Sequence, residues 1–259
     1  MKRVAVLDFY QQEHNQGMRC IIETLEREGF ASDVYEVRCQ HQIPKVTDYD
    51  AFVSSGGPGD PHEVLTHDWG PPYQAFLNEL RDRNAVEETK RHAFLICHSY
   101  QMACITWGLA EVTRRKSRAF GIYPMNKTAS GAGDPLLDEL GDPFWVVDSR
   151  EWQVIQPHPE EMAELGAEIL AIERERPHVP LERAAMMIRF TPEIVGTQFH
   201  PEADESSMEF YLNNPERLQK MLDAVGEEKV EKIRSHLGDE QGINHTHHTL
   251  IPKFLSMAR

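Results

Sequence analysis

The first two thirds of the chain alternates between short apolar runs and stretches whose apolar side chains recur at helical spacing. Val4-Ala5-Val6-Leu7 contains no polar residue, as in a strand covered on both faces. Over 17–28, Met18, Ile21, Ile22 and Leu25 fall on one helix face, and Gly29 stands where a left-handed cap would stop the helix. Further strands are predicted at 34–37, 51–55 and 93–96. Helices are predicted over 69–83, with Pro71 and Pro72 near the start, and over 99–107, closed by Gly108. This β-α-β-α order implies an α/β fold of the flavodoxin-like kind: three layers, with a mostly parallel central sheet and helices on both faces.

After Gly108 the pattern changes. Short β-like pieces at 111–115, 122–128 and 144–147 are separated by turn-rich stretches such as 130–135, and 184–188 with 193–199 read as a closing strand pair. Glu160-Glu161 and Glu173-Arg174-Glu175-Arg176 read as solvated helix faces. From Asp204 onward the chain is polar, mainly acidic and helical, with Met221, Leu222, Val225, Val230 and Ile233 as a candidate docking stripe. The expected organisation is one α/β domain over residues 1–203 and a C-terminal helical extension over 204–259 packed on it.

Composition narrows the functions on offer. A chain of 259 residues is long enough for one large α/β domain, and 40% hydrophobic with 27% charged residues is a globular mixture. Its 42 acidic against 27 basic side chains give a net charge of −15. That balance argues against a nucleic-acid binder and against an anionic membrane surface. Arg114-Arg115-Lys116 is read as solvated charge. No apolar run approaches the ~18–20 residues that span a bilayer, and the apolar part of Met1–Asp8 is too short for a signal-peptide core. Four cysteines in no metal-like spacing suggest free thiols in a reducing, cytoplasmic setting. His245-Thr246-His247-His248 lacks paired acids at ligand spacing, so no metal is expected there.

The chemistry concentrates where open α/β sheets hold their ligands, beyond the carboxyl ends of the strands. Cys97 lies at a predicted strand-to-helix turn, where a helix N-terminus favours the thiolate. His200, in Gly196-Thr197-Gln198-Phe199-His200-Pro201-Glu202, ends another predicted strand. It can take the thiol proton and return it to a leaving amine. Glu202 can hold the far imidazole nitrogen. The loop Gly56-Gly57-Pro58-Gly59 brings backbone N–H groups close to a substrate, as an oxyanion hole requires. Cys104, two helical turns after Cys97, reads as core.

Three segments in this order, Ser55-Gly56-Gly57-Pro58-Gly59, Ile96-Cys97-His98-Ser99-Tyr100-Gln101 and Gly196 to Glu202, resemble a class I glutamine amidotransferase domain of the GMP-synthase-like kind. The resemblance covers roughly residues 1–203. It implies that Cys97 attacks the glutamine side-chain amide, that His200 protonates the departing ammonia, and that Glu202 orients His200. It implies also that the N–H groups of Gly57 and His98 hold the oxyanion, that Gln101 helps to bind substrate, and that no cofactor is needed. In relatives the ammonia usually passes to a synthase domain or partner, and the 204–259 tail is too short to be one. Two departures stand out. Leu95 and Ser99 replace the glycines on either side of the nucleophile. Where relatives carry Ser-His-x-Asp against the substrate, this chain keeps Ser149 but has Arg150 and Trp152. An arginine there suits a carboxylate-bearing or larger γ-glutamyl compound. A stand-alone γ-glutamyl hydrolase and a non-catalytic protein that retains the fold are therefore the alternative readings.

Overall fold

In the computed structural model, which describes residues 2–12, 15–178, 180–239 and 242–258, the apolar runs become strands of one nine-stranded sheet. The strands are β1 (Arg3–Asp8), β2 (Ala31–Glu36), β3 (Ala51–Ser54), β4 (His92–Ile96), β5 (Ala110–Lys127), β6 (Phe144–Pro157), β7 (Glu168–Glu173), β8 (Ala185–Thr191) and β9 (Ile194–Thr197). Their spatial order is β2-β1-β3-β4-β9-β8-β7-β5-β6. The first five are mutually parallel, and from β9 through β8, β7, β5 and β6 each neighbour is antiparallel. The helices are α1 (Gln16–Arg27), α2 (Val37–Gln40), α3 (Gly70–Val86), α4 (His98–Thr106), α5 (Ala129–Gly133), α6 (Pro159–Leu165), α7 (Glu205–Asn213), α8 (Pro215–Val225), α9 (Glu227–Ser235) and α10 (Ile243–Met257).

The unbroken apolar runs are explained by cover on both faces. Val4, Val6, Phe94 and Ile96 pack with Ile21 and Leu25 of α1 on one side, while Ala5, Leu7, Ala93 and Leu95 pack with α3 and α4 on the other. Asn15 caps α1 by accepting from the N–H of Gly17, and Gly29 follows its end at φ +77°.

The second half of the sheet departs from the expectation in three ways. The pieces at 111–115 and 122–128 are one strand, β5, whose pairing with β6 jumps between Arg114 and Ala119. The turn-rich stretch holds the short helix α5, capped by the Thr128 hydroxyl. Glu173 is not on a solvated helix face: it ends β7, is only 7% exposed, and meets the guanidinium groups of Arg115, Arg150 and Arg176. Arg115 is correspondingly paired rather than solvated. Alternating charge looks the same on a wet helix as at a strand end, and the partners that bury it come from distant strands. Glu160 and Glu161 do lie exposed in the first turn of α6.

The C-terminal helices make two kinds of contact. Met208, Leu212, Met221, Val230 and Ile233 form a separate small core with Ile122 and Val147 of the β5–β6 hairpin, and Leu222 packs partly buried against it. The side chain of Val225 lies outside the described residues. α10 belongs to the main core, where Leu250, Ile251, Phe254 and Leu255 join β1, β4 and α1. Among the described residues no helix is long and apolar enough to cross a membrane.

Candidate active site

Cys97 sits between β4 and α4 with φ 49° and ψ −97°, a backbone region that side-chain-bearing residues rarely adopt. The turn is pinned on both sides. The N–H of Cys97 donates to the Thr197 carbonyl at 2.6 Å, and the N–H of Gln101 donates to the carbonyl of Cys97 at 3.0 Å. Ser99, in the place of a family glycine, adds a clasp. Its hydroxyl accepts from the N–H of Ile96 at 2.8 Å and lies 2.9 Å from the carbonyl oxygen of Ser54. Leu95, the other departure, is fully buried among the α3 and α4 side chains and does not line the cavity above Cys97.

His200 is carried to this turn by β9, which pairs with β4. Its N–H donates to the Val147 carbonyl at 2.9 Å, and its Nδ1 lies 2.8 Å from Oε1 of Glu202, which is 1% exposed. A carboxylate only accepts, so Nδ1 carries the hydrogen and Nε2 is left for the thiol. Burial opposes the imidazolium, yet Glu202 and Cys97 outweigh it and raise the His200 pKa well above its ordinary value. Gly56 measures how closely these groups meet. A Cβ there would lie 2.8 Å from the Tyr10 hydroxyl, 3.0 Å from Cε1 of His200 and 3.6 Å from Cβ of Cys97. A Cβ on Gly57 would strike the Phe9 carbonyl oxygen at 2.8 Å. The loop can run beside Cys97 only without side chains. Arg38 braces it from behind, donating to the carbonyl of Pro58 and pairing with Glu63.

A cavity of about 400 Å³ opens above Cys97. Gly57, Cys97, His98, Gln101, Ser149, Arg150, His200 and Glu202 all line it, so the expected site residues converge there. His98 starts α4, and its N–H belongs to the first-turn donors that lack an acceptor inside the helix. Its buried imidazole is neutral, with a pKa lowered to about 3 by burial and by Arg38. Gln101 donates to Oε1 of Gln198 at 3.0 Å, and Nε2 of Gln198 lies 3.6 Å from Sγ of Cys97. The Ser149 carbonyl stands 3.7 Å from the same sulfur. The Arg150 guanidinium is fully buried. Its Nε meets Asp148 at 3.1 Å and its Nη2 meets Glu173, while Nη1 is buried with no partner among the described residues. Its charge is thus balanced inside the protein rather than held out to a carboxylate-bearing ligand. Two residues close to the reacting groups carried no expectation, Gln198 beside the sulfur of Cys97 and Tyr10 in the cavity wall. Gln198 was legible as part of the His200 motif. Tyr10 follows the carboxyl end of β1, so the strand-end rule that singles out Cys97 would also reach it.

The sequence family described as glutamine amidotransferase class-I matches residues 5–215. The chain belongs to this family. Its members in general are cysteine-nucleophile amidohydrolases. A glutamine amidotransferase from Thermotoga maritima shares 15% identity at TM-score 0.70, covering 99% of this chain and 97% of that one. A glutamine amidotransferase from Methylobacillus flagellatus shares 15% identity at TM-score 0.67, covering 99% and 95%. The glutaminase domain of Trypanosoma brucei CTPS, solved with bound acivicin, shares 15% identity at TM-score 0.56, covering 86% and 94%. At these identities the likeness is one of fold. No curated protein sequence matches the chain.

Proposed function

We propose that this amidotransferase hydrolyses the side-chain amide of glutamine through a thioester on Cys97 and hands the ammonia to a separate synthase. The Cys97 thiolate adds to the amide carbon, and the N–H groups of Gly57 and His98 receive the oxyanion. The His200 imidazolium gives its Nε2 proton to the amide nitrogen, the C–N bond breaks, and ammonia leaves. Water then adds to the thioester as His200 takes its proton, the C–S bond breaks, and glutamate is released. Glu202 keeps His200 in the required tautomer throughout. The observation that carries this reading is the meeting of a strained Cys97, the His200–Glu202 pair and a side-chain-free loop over one cavity. Support for a partner comes from the CTPS structure, where a similar fold serves as a glutaminase domain.

Mass spectrometry after treatment with a diazo-ketone analogue of glutamine tests the reading. One adduct on Cys97, absent from Cys97→Ser, is expected. An intact folded protein with no adduct overturns it. The cavity favours a γ-glutamyl amide as a second substrate. Its size falls within the ~300–1,000 Å³ of sites that enclose drug-sized ligands, and Arg118, Phe120, Trp152 and Tyr211 wall it. Turnover of γ-glutamyl dipeptides without any partner would favour that substrate. Stimulation of glutamine hydrolysis by a synthase would favour ammonia transfer.

A further inference from the structure

The segment His245-Thr246-His247-His248 has no part in the chemistry above, yet it is not idle. It lies near the start of α10, and three of its side chains reach backbone carbonyls of other segments. His245 Nε2 is 3.0 Å from the Glu139 oxygen, the Thr246 hydroxyl donates to the Trp145 oxygen at 2.7 Å, and His247 Nδ1 is 2.9 Å from the Glu202 oxygen. The third contact lands on the candidate site itself.

Chemistry fixes the His247 tautomer. A carbonyl oxygen only accepts, so Nδ1 carries the hydrogen. Arg27 of α1 only donates, and its Nη1 lies 3.3 Å from Nε2, so Nε2 is bare. Both nitrogens of a residue 4% exposed are therefore engaged, and only in the neutral form. The charged or titratable groups facing it are Arg27, Asp204 ahead of α7, and His248 on its own helix. Burial, His248 and Arg27 lower its pKa against the opposing effect of Asp204 and the Glu202 carbonyl, which keeps that form in place at neutral pH.

The anchored peptide matters because the Glu202 carboxylate has little else to hold it. Oε1 meets His200, and Oε2 is buried without a partner among the described residues. The aim of this carboxylate at His200 is set by its backbone. That backbone is tied at His200 to the Val147 carbonyl and at Ala203 to the His200 carbonyl, and at Glu202 itself by the His247 hydrogen bond. We infer that His247 is a positioning residue: it fixes the Glu202 peptide so that the carboxylate stays on Nδ1 of His200. The inference rests on the roles given above to His200 and Glu202.

Two variants of the full chain test it. His247→Phe keeps the ring and removes both nitrogens, while His247→Asn restores a donor at the Nδ1 position. In proton NMR the Nδ1 hydrogen of His200 is expected to lie far downfield in the native protein, to move upfield or broaden in His247→Phe and to return in His247→Asn. For glutamine, kcat is expected to fall about tenfold in His247→Phe with KM within about twofold, as for a small misplacement of a reacting group. His247→Asn should recover most of it. If His247→Phe folds with native spectrum and native kcat, the positioning role is wrong. If the native protein hydrolyses no glutamine but the His200 resonance still responds, the functional reading fails and the positioning role stands. Should His247→Phe not fold, His247→Gln replaces it. That variant keeps an acceptor for Arg27 but loses the Nδ1 donor to the Glu202 carbonyl, so it should move the same resonance in the same direction, and an unmoved resonance overturns the role.

Discussion

At the scale of single residues, the backbone of Cys97 is the feature with the clearest energetic signature. A positive φ outside the favoured regions costs of order 1–3 kcal/mol for a residue with a Cβ. Glycine relieves that cost and loses about 0.5–1 kcal/mol to the entropy of its unfolded chain. Cys97→Gly should therefore be more stable than Cys97→Ala by about 1 kcal/mol, although both lack the thiol. Urea unfolding of the pair decides the matter, and a midpoint of Cys97→Gly below that of Cys97→Ala would show that the turn is unstrained. His200 makes a second prediction. Its pKa is raised on folding, so its contribution to stability is fully present below the unfolded value of ~6.5 and declines as pH rises through the higher folded one. The gap in urea midpoint between the native protein and His200→Asn should be widest in mild acid and narrow toward alkaline pH. A gap that widens instead would mean that Glu202 does not hold an imidazolium. Cys97, His200 and Glu202 were readable in the sequence because each sits in a local motif. Tyr10 follows a strand end, which the same rule reaches, but its place beside Gly56 depends on strands that meet only in the fold.

At the scale of elements, the parallel half of the sheet was legible and the antiparallel half was not. In β1, β3 and β4 every residue of a short run is buried, so apolarity alone marks them. In β5 and β6 the burial is uneven and the register jumps at Arg114, which breaks the period-two signal. Besides their backbone ladders, these strands and β7 are linked by a group of buried and half-buried charges: Asp148 and Glu173 against Arg115, Arg150 and Arg176. Removing one member leaves the others uncompensated, which costs about 3–5 kcal/mol in buried pairs. Glu173→Leu should lose stability on that scale, as read by thermal or urea unfolding. A loss under about 1 kcal/mol would assign the cluster to the solvated class. Burial raises the Glu173 pKa, but Arg150 and Arg115 overcome it and the net shift is downward. Its stabilisation is thus present above the ordinary glutamate value of ~4.3 and disappears as pH falls through the lowered one. Glu173→Gln should remove that part of the acid transition.

At the scale of the whole molecule, the question is where the folding unit ends. The α/β motifs stop near residue 203, yet the core does not. Leu250, Ile251, Phe254 and Leu255 of α10 are each at most 1% exposed and share one cluster with β1, β4 and α1. Phe254 packs edge-on against Phe94 of β4, with ring centroids 5.3 Å apart. Fully burying a side chain of this kind contributes about 1.5–3 kcal/mol, so the four together contribute about 6–12 kcal/mol. That equals much of the ~5–15 kcal/mol by which domains are stable at all. A chain ended after residue 242 should therefore show no cooperative unfolding transition and bind hydrophobic dyes. Phe254→Ala should fold with a loss of about 3–5 kcal/mol. The intermediate case separates packing from any contribution of α10 to the site. In Phe254→Ala the His247 contact to Glu202 lies two helical turns away from the cavity left by the ring, so glutamine turnover per folded molecule should stay near native. If activity instead falls in step with stability, α10 acts on the site through its packing as a whole rather than through its first turns.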